Sequence, residues 1–129
     1  MQYTKKLMDH FAHPHNQGVI KDANAIAEVG NIKCGDIMKL YLKISKNGDG
    51  VDYIEDIKFE TLGCAAAIAA TSVLTDLAKG KTLDSARKIT KDDIVSVLES
   101  VPQIKYHCSI LAQEGLEKAI KEYLENNKK

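Results

Sequence analysis

From Asp36 onward the chain alternates. Met38, Leu40, Leu42 and Ile44 fall on one side of an extended segment, and Lys39, Tyr41 and Lys43 on the other. Successive side chains of a strand point to opposite faces, so this period of two predicts a half-buried strand. Asn47-Gly48-Asp49-Gly50 follows as a turn. A second alternation predicts the partner strand, with Ile57, Phe59 and Thr61 set against Lys58 and Glu60. Residues 25–30 predict a further strand, stopped by Gly30.

Elsewhere the period is helical. Tyr3, Leu7, Met8 and Phe11 recur at helical spacing over residues 3–12, and Pro14 ends that helix. His13 to Gly18, HPHNQG, reads as a loop in which His13 and His15 are solvated. Residues 65–79 predict an Ala-rich buried helix, with Gly80 as its C-terminal cap. Thr90 with Asp93 resembles a capping box for a helix over residues 91–99. Pro102 breaks the chain, and a last amphipathic helix runs from near His107 to about Asn126. Its inward residues are Leu111, Ala119, Ile120, Tyr123 and Leu124. Glu114 and Glu117 read as solvated surface. Strands first and helices afterwards make an α+β pattern: a small antiparallel sheet of about three strands, covered on one face by helices.

Composition narrows the class. The 129 residues predict a single domain, 1–129, with enough chain for a core that needs no disulfide staples. Eighteen basic residues balance eighteen acidic ones, which argues against nucleic acid as the main partner. The N-terminus, MQYTKKLMDHF, carries charge throughout, which predicts no signal peptide. No apolar run approaches the roughly 20 residues of a membrane span, so no membrane partner is expected. Three cysteines far apart do not form a disulfide framework; they predict reduced thiols and a cytoplasmic location.

Those cysteines carry the candidate chemistry. Cys34 sits in GNIKCGDIMKL, two residues before Asp36; Cys64 sits in TLGCAAAIAATS; Cys108 follows His107 in IKYHCSILA. A cysteine at a helix start meets unpaired N–H groups and the positive end of the dipole, which favour thiolate. This applies to Cys64, where a strand gives way to a helix, and to Cys108. Lys105 adds positive charge beside Cys108. Soft thiolates near an imidazole and a carboxylate suit iron, zinc or an iron–sulfur cluster. Taken singly, each residue has a plainer reading: a buried cysteine is a small hydrophobe, Asp36 a turn cap, His107 a surface or core histidine. No CxxC occurs, so zinc-finger spacing is absent.

Taken together, the segments resemble one family, the iron–sulfur cluster assembly scaffold proteins of the IscU and NifU N-terminal type. The resemblance covers essentially the whole chain. It includes Tyr3 and DHFAHPHNQG, VGNIKCGDIMKLYLKI, GCAAAIAATS, LAKGKT and IKYHCSILAQEGLEKAI. It implies an IscU/SufE-like sandwich and a scaffold or carrier rather than a conventional enzyme. Such proteins accept persulfide sulfur from a cysteine desulfurase (IscS/NifS-like), take up iron and electrons from a donor such as ferredoxin, and build a [2Fe-2S] cluster. They then pass it to recipient apo-proteins, and hold zinc in the cluster-free form.

The ligand set implied is Cys34, Asp36, Cys64, His107 and Cys108. Cys108 matches the persulfide acceptor, and Asp36 the carboxylate associated with cluster lability. Tyr3 matches a tyrosine linked to homodimer formation. Val101, Pro102, Gln103, Ile104 and Lys105 read VPQIK where the family's Hsp70-type chaperone motif is commonly LPPVK; the altered second proline puts that docking in doubt. HPHNQG replaces NPRNVG, and Ile32 stands where a proline is usual. The alternative is a zinc-dependent SufU-like sulfurtransferase. Those proteins carry an insertion between the second and third cysteine regions and lack the histidine. Cys64 and Cys108 are 44 positions apart here, the uninserted length, and His107 is present. A zinc hydrolase or deaminase is disfavoured, because no HExxH or HxE…PCxxC pattern occurs.

Overall fold

The computed structural model describes residues 4–31, 36–62, 65–98 and 106–126. Tyr3, Cys34, Cys64 and the segment from Val101 to Lys105 lie outside the described residues.

Three strands, β1 (Ala25–Asn31), β2 (Asp36–Lys46) and β3 (Asp52–Leu62), form an antiparallel sheet in sequential order. Alternation explains the pairing. Met38, Leu40, Leu42 and Ile44 of β2, with Ile54, Ile57 and Phe59 of β3, are all buried on one face. The strands swap through a turn in which the Asn47 side chain accepts from the N–H groups of Asp49 and Val51. Gly50 takes a φ of 78° there, in the left-handed region that favours glycine. β1 continues past Gly30 to Asn31, one residue beyond the predicted stop. Gly30 pairs with Ile37 and Asn31 with Asp36, and the ladder outweighs the missing side chain. On the open face Tyr41 is covered rather than solvated. Its hydroxyl donates to Glu60 at 2.6 Å, and Lys39 Nζ lies 5.4 Å from its ring centre.

The helices close the other face. α1 (Lys5–Ala12) starts two residues later than predicted, because Thr4 serves as its N-cap and accepts from Leu7 N–H. The Thr4 hydroxyl also donates to Leu98 O. Leu7 is buried, whereas Met8 and Phe11 are exposed, so the inward stripe of α1 is narrower than its spacing suggested.

α2 (Ala65–Ala78) is buried on most sides, which its small residues permit. Gly80 ends it with a φ of 84°, and its N–H donates to Ile54 O at 2.8 Å, tying the helix end to β3. A single turn, α3 (Leu83–Ala86), follows its N-cap Thr82. α4 (Lys91–Val97) carries the full Thr90–Asp93 capping box and stops two residues before the predicted end. α5 (Tyr106–Asn126) lays Ala112, Leu116, Ala119 and Ile120 into the core. Tyr123 and Leu124 are half-buried against it. Glu117, expected to be solvated, takes a bidentate contact from Arg87, at 2.7 and 3.1 Å. None of the described helices is long and apolar enough to cross a membrane.

Candidate functional site

The cysteine-bearing segments border one end of the sheet. Asn31 and Asp36 are the last register pair of β1 and β2, and Ile37 stands opposite Leu62, the last residue of β3. Cys34 therefore belongs to the link between β1 and β2, and Cys64 to the link between β3 and α2. For Asp36 the structure describes the backbone, at the first position of β2.

Contacts along α5 give its direction. Lys118 Nζ donates to Glu28 O at 3.0 Å, and Gly115 lies over Val29 and Met38, a cross-strand pair. Moving back along α5 thus moves toward the Asn31–Asp36 end. His107 and Cys108 occupy the first turn of α5, about 10–12 Å before Gly115 at 1.5 Å per residue. The backbone N–H groups of that turn have no partner within the helix and favour a nearby anion. The structure thus brings the described backbone of Asp36, His107 and Cys108 toward the end of the sheet that the other two cysteine segments adjoin in sequence.

A comparison of the chain with known families matches residues 2–129 to the NifU-like N-terminal domain. The chain belongs to that family. Relatives of this NifU-like domain include the iron–sulfur cluster assembly scaffold protein IscU 1 of Archaeoglobus fulgidus, 48% identical over 98% of this chain and 80% of that protein. IscU of Aquifex aeolicus is 43% identical over 95% of this chain and 76% of its own length. The nitrogen fixation protein NifU of Trichormus azollae is 44% identical, but this chain spans only 41% of it.

Among solved structures, a Fervidobacterium islandicum protein assigned as a scaffold of the SUF system superposes with a TM-score of 0.75. It is 27% identical, over 92% of this chain and 96% of that one. The N-terminal part of a NifU-like protein from Brucella abortus gives the same TM-score at 21% identity, a likeness of fold alone. The α+β sandwich of a three-stranded sheet and helices is thus the architecture that the NifU-like domain shares with its neighbours.

A second group of side chains escaped the sequence reading. His10, His15 and Asp76 bring one donor atom each within 4.8 Å of one another. His15 is not simply solvated: its Nδ1 lies 2.5 Å from Asp76 Oδ2, and its backbone N–H donates to Ser72 Oγ at 2.8 Å. Burial, with a smaller contribution from neighbouring His15, holds His10 below the ordinary histidine pKa. His15 and Asp76 are 61 positions apart, so only the packing of α1 and its following loop on α2 joins them.

Proposed function

We propose that this chain is a scaffold on which a labile [2Fe-2S] cluster is assembled and from which it is handed to recipient apo-proteins. The observation that carries the reading is the convergence of Asp36 and the first turn of α5 on the end of the sheet that the Cys34 and Cys64 links adjoin. The names of the A. fulgidus and A. aeolicus relatives support it. In this reading residues 1–129 act as one carrier domain in the cytosol, and not as a conventional enzyme.

Cys34, Cys64 and Cys108 supply thiolates for the cluster, which is cargo rather than a resident group. Stable ferredoxin clusters use four thiolates. One chain offers three, so His107 or Asp36 completes the shell. A harder oxygen or nitrogen donor exchanges more readily than a thiolate, which suits release. Sulfur arrives when the Cys108 thiolate attacks the terminal sulfur of a desulfurase persulfide, releasing the desulfurase thiolate. Lys105 steadies the resulting anion. Each sulfane sulfur then takes up two electrons, drawn from a donor such as ferredoxin and from ferrous iron, to become sulfide. Zinc occupies the same donors when no cluster is present. Tyr3 contributes to a homodimer during synthesis, and Val101, Pro102, Gln103, Ile104 and Lys105 form a weakened chaperone-docking segment.

A cysteine desulfurase of the IscS/NifS class and free cysteine test the sulfur step. After incubation, intact-mass analysis should find one added sulfur on the wild type and none on Cys108→Ser. Equal sulfur loading of the two would remove Cys108 from the role.

A further inference from the structure

We propose that His10, His15 and Asp76 form a second cation site, for a borderline divalent ion such as Fe2+ or Zn2+. Asp76 is eleven residues along α2 from Ala65, about 16 Å at 1.5 Å per residue, so this site lies toward the opposite end of α2 from the β3–α2 link.

The chemistry of the donors fits. Two imidazoles and one carboxylate, with positions left open for water, suit ferrous iron and zinc better than the hard ions that prefer oxygen alone. Three parts of the fold supply them: His10 from the last turn of α1, His15 from the loop after Pro14, and Asp76 from the last turns of α2. The imidazole rings of His10 and His15 stand 4.6 Å apart, tilted by 51°. Bonds of about 2.0–2.2 Å need donor atoms about 3.4 Å apart in a tetrahedral shell. Metal binding therefore requires side-chain rotation that closes the present spread of up to 4.8 Å and opens the 2.5 Å His15 Nδ1–Asp76 Oδ2 contact. The side chains of His15 and Asp76 are 53% and 41% exposed, which leaves room for that rotation and a path for a hydrated ion.

The surroundings orient these donors. His10 Nδ1 lies 2.8 Å from Ser72 Oγ, whose residue is fully buried on α2. With Nδ1 so engaged, Nε2 is left for a ligand. The same Ser72 oxygen accepts the backbone N–H of His15, which fixes the loop. Asn16, held at a φ of 60°, donates through Nδ2 to Asp76 Oδ1 and to Thr75 Oγ1, both at 3.1 Å. Asp76 thereby keeps Oδ2 on the side of His15. Metal-binding histidines and carboxylates are characteristically held by such outer partners, whose loss weakens binding by about 10–100-fold. Ser72 thus holds His10 beside the His15–Asp76 pair.

The test uses the full chain, reduced and metal-free, titrated with Zn2+ and, anaerobically, with Fe2+. Binding isotherms and the ring-proton resonances of His10 and His15 are read together. The wild type should bind one equivalent more than His15→Gln or Asp76→Asn, or bind that equivalent at least tenfold more tightly. The two ring signals should shift or broaden at saturation. Asn16→Ala should weaken the same equivalent by about 10-fold. Response to only one of the two ions names the ion. If His15→Gln does not fold, Asp76→Asn and the wild-type resonances decide. Equal stoichiometry in all variants, with unmoved ring signals for both ions, overturns the site. None of the three cysteines is altered in these variants and no cluster is formed in the test, so this outcome is independent of the scaffold reading.

Discussion

Gly115 of α5 lies against Met38 of β2, and a methyl group added at Gly115 would overlap the Met38 terminal methyl and crowd Val29. The absent side chain lets the helix press onto the sheet at a cross-strand pair two positions before its Asn31–Asp36 end. Met38 cannot swing away freely, because it is 1% exposed and its sulfur accepts from Thr71 Oγ1 at 3.4 Å. Gly115→Val should therefore destabilise the fold by about 1–3 kcal/mol, the usual range for overpacking. Denaturant unfolding checks this; a midpoint at or above the wild-type value would mean that α5 is not seated as described.

The capping box of α4 gives a second stability prediction. Thr90 accepts from Asp93 N–H at 3.3 Å, and Asp93 accepts from Thr90 N–H at 2.8 Å. Thr90→Ala should cost about 0.5–2 kcal/mol. Adding Asp93→Ala should cost less than the sum of the two single changes, since each serves the other's backbone. Additive losses in a double-mutant cycle would show the two bonds to be independent.

Tyr41 sets an alkaline limit. The hydrogen bond to Glu60, with burial and the Glu60 charge behind it, raises the phenol above its ordinary value of 10.0. A raised folded-state pKa stabilises the fold fully below the unfolded value and loses that stabilisation as pH climbs through the folded one. Unfolding free energy should thus fall above about pH 10 in the wild type and less steeply in Tyr41→Phe. Parallel slopes in the two proteins would remove Tyr41 as the cause.

Asp36 is the residue whose change should separate holding a cluster from releasing it. If Asp36 is the exchangeable oxygen donor of the proposed scaffold, Asp36→Ala should lengthen the lifetime of the reconstituted cluster and slow its transfer. Visible absorption decay and transfer to an apo-ferredoxin measure the two. Unchanged lifetime and rate would leave ligand exchange at Asp36 without support.

Much of this was legible in the chain, for identifiable reasons. The β2 residues Met38 to Ile44 alternate without interruption, so their buried face could be read directly. Gly80 and the Thr90–Asp93 box are local signals and both act as expected. α3 was not legible, because four residues are too short to carry a period. Met8 and Phe11 have the right spacing but are exposed, and spacing alone cannot show how much of a helix face its neighbours cover. Tyr41 follows the polar face by alternation, yet its cover comes from Glu60 and Lys39. The His10–His15–Asp76 group depends on a contact across 61 positions, which no local pattern encodes.

The most direct test of the scaffold reading is anaerobic reconstitution with iron, cysteine and a cysteine desulfurase, followed by addition of an apo-ferredoxin. The account predicts a [2Fe-2S] absorption spectrum, with matching iron and sulfide, that fades as the ferredoxin gains its own cluster. Tightly held zinc, no iron uptake and faster desulfurase turnover would contradict it and identify a sulfurtransferase instead.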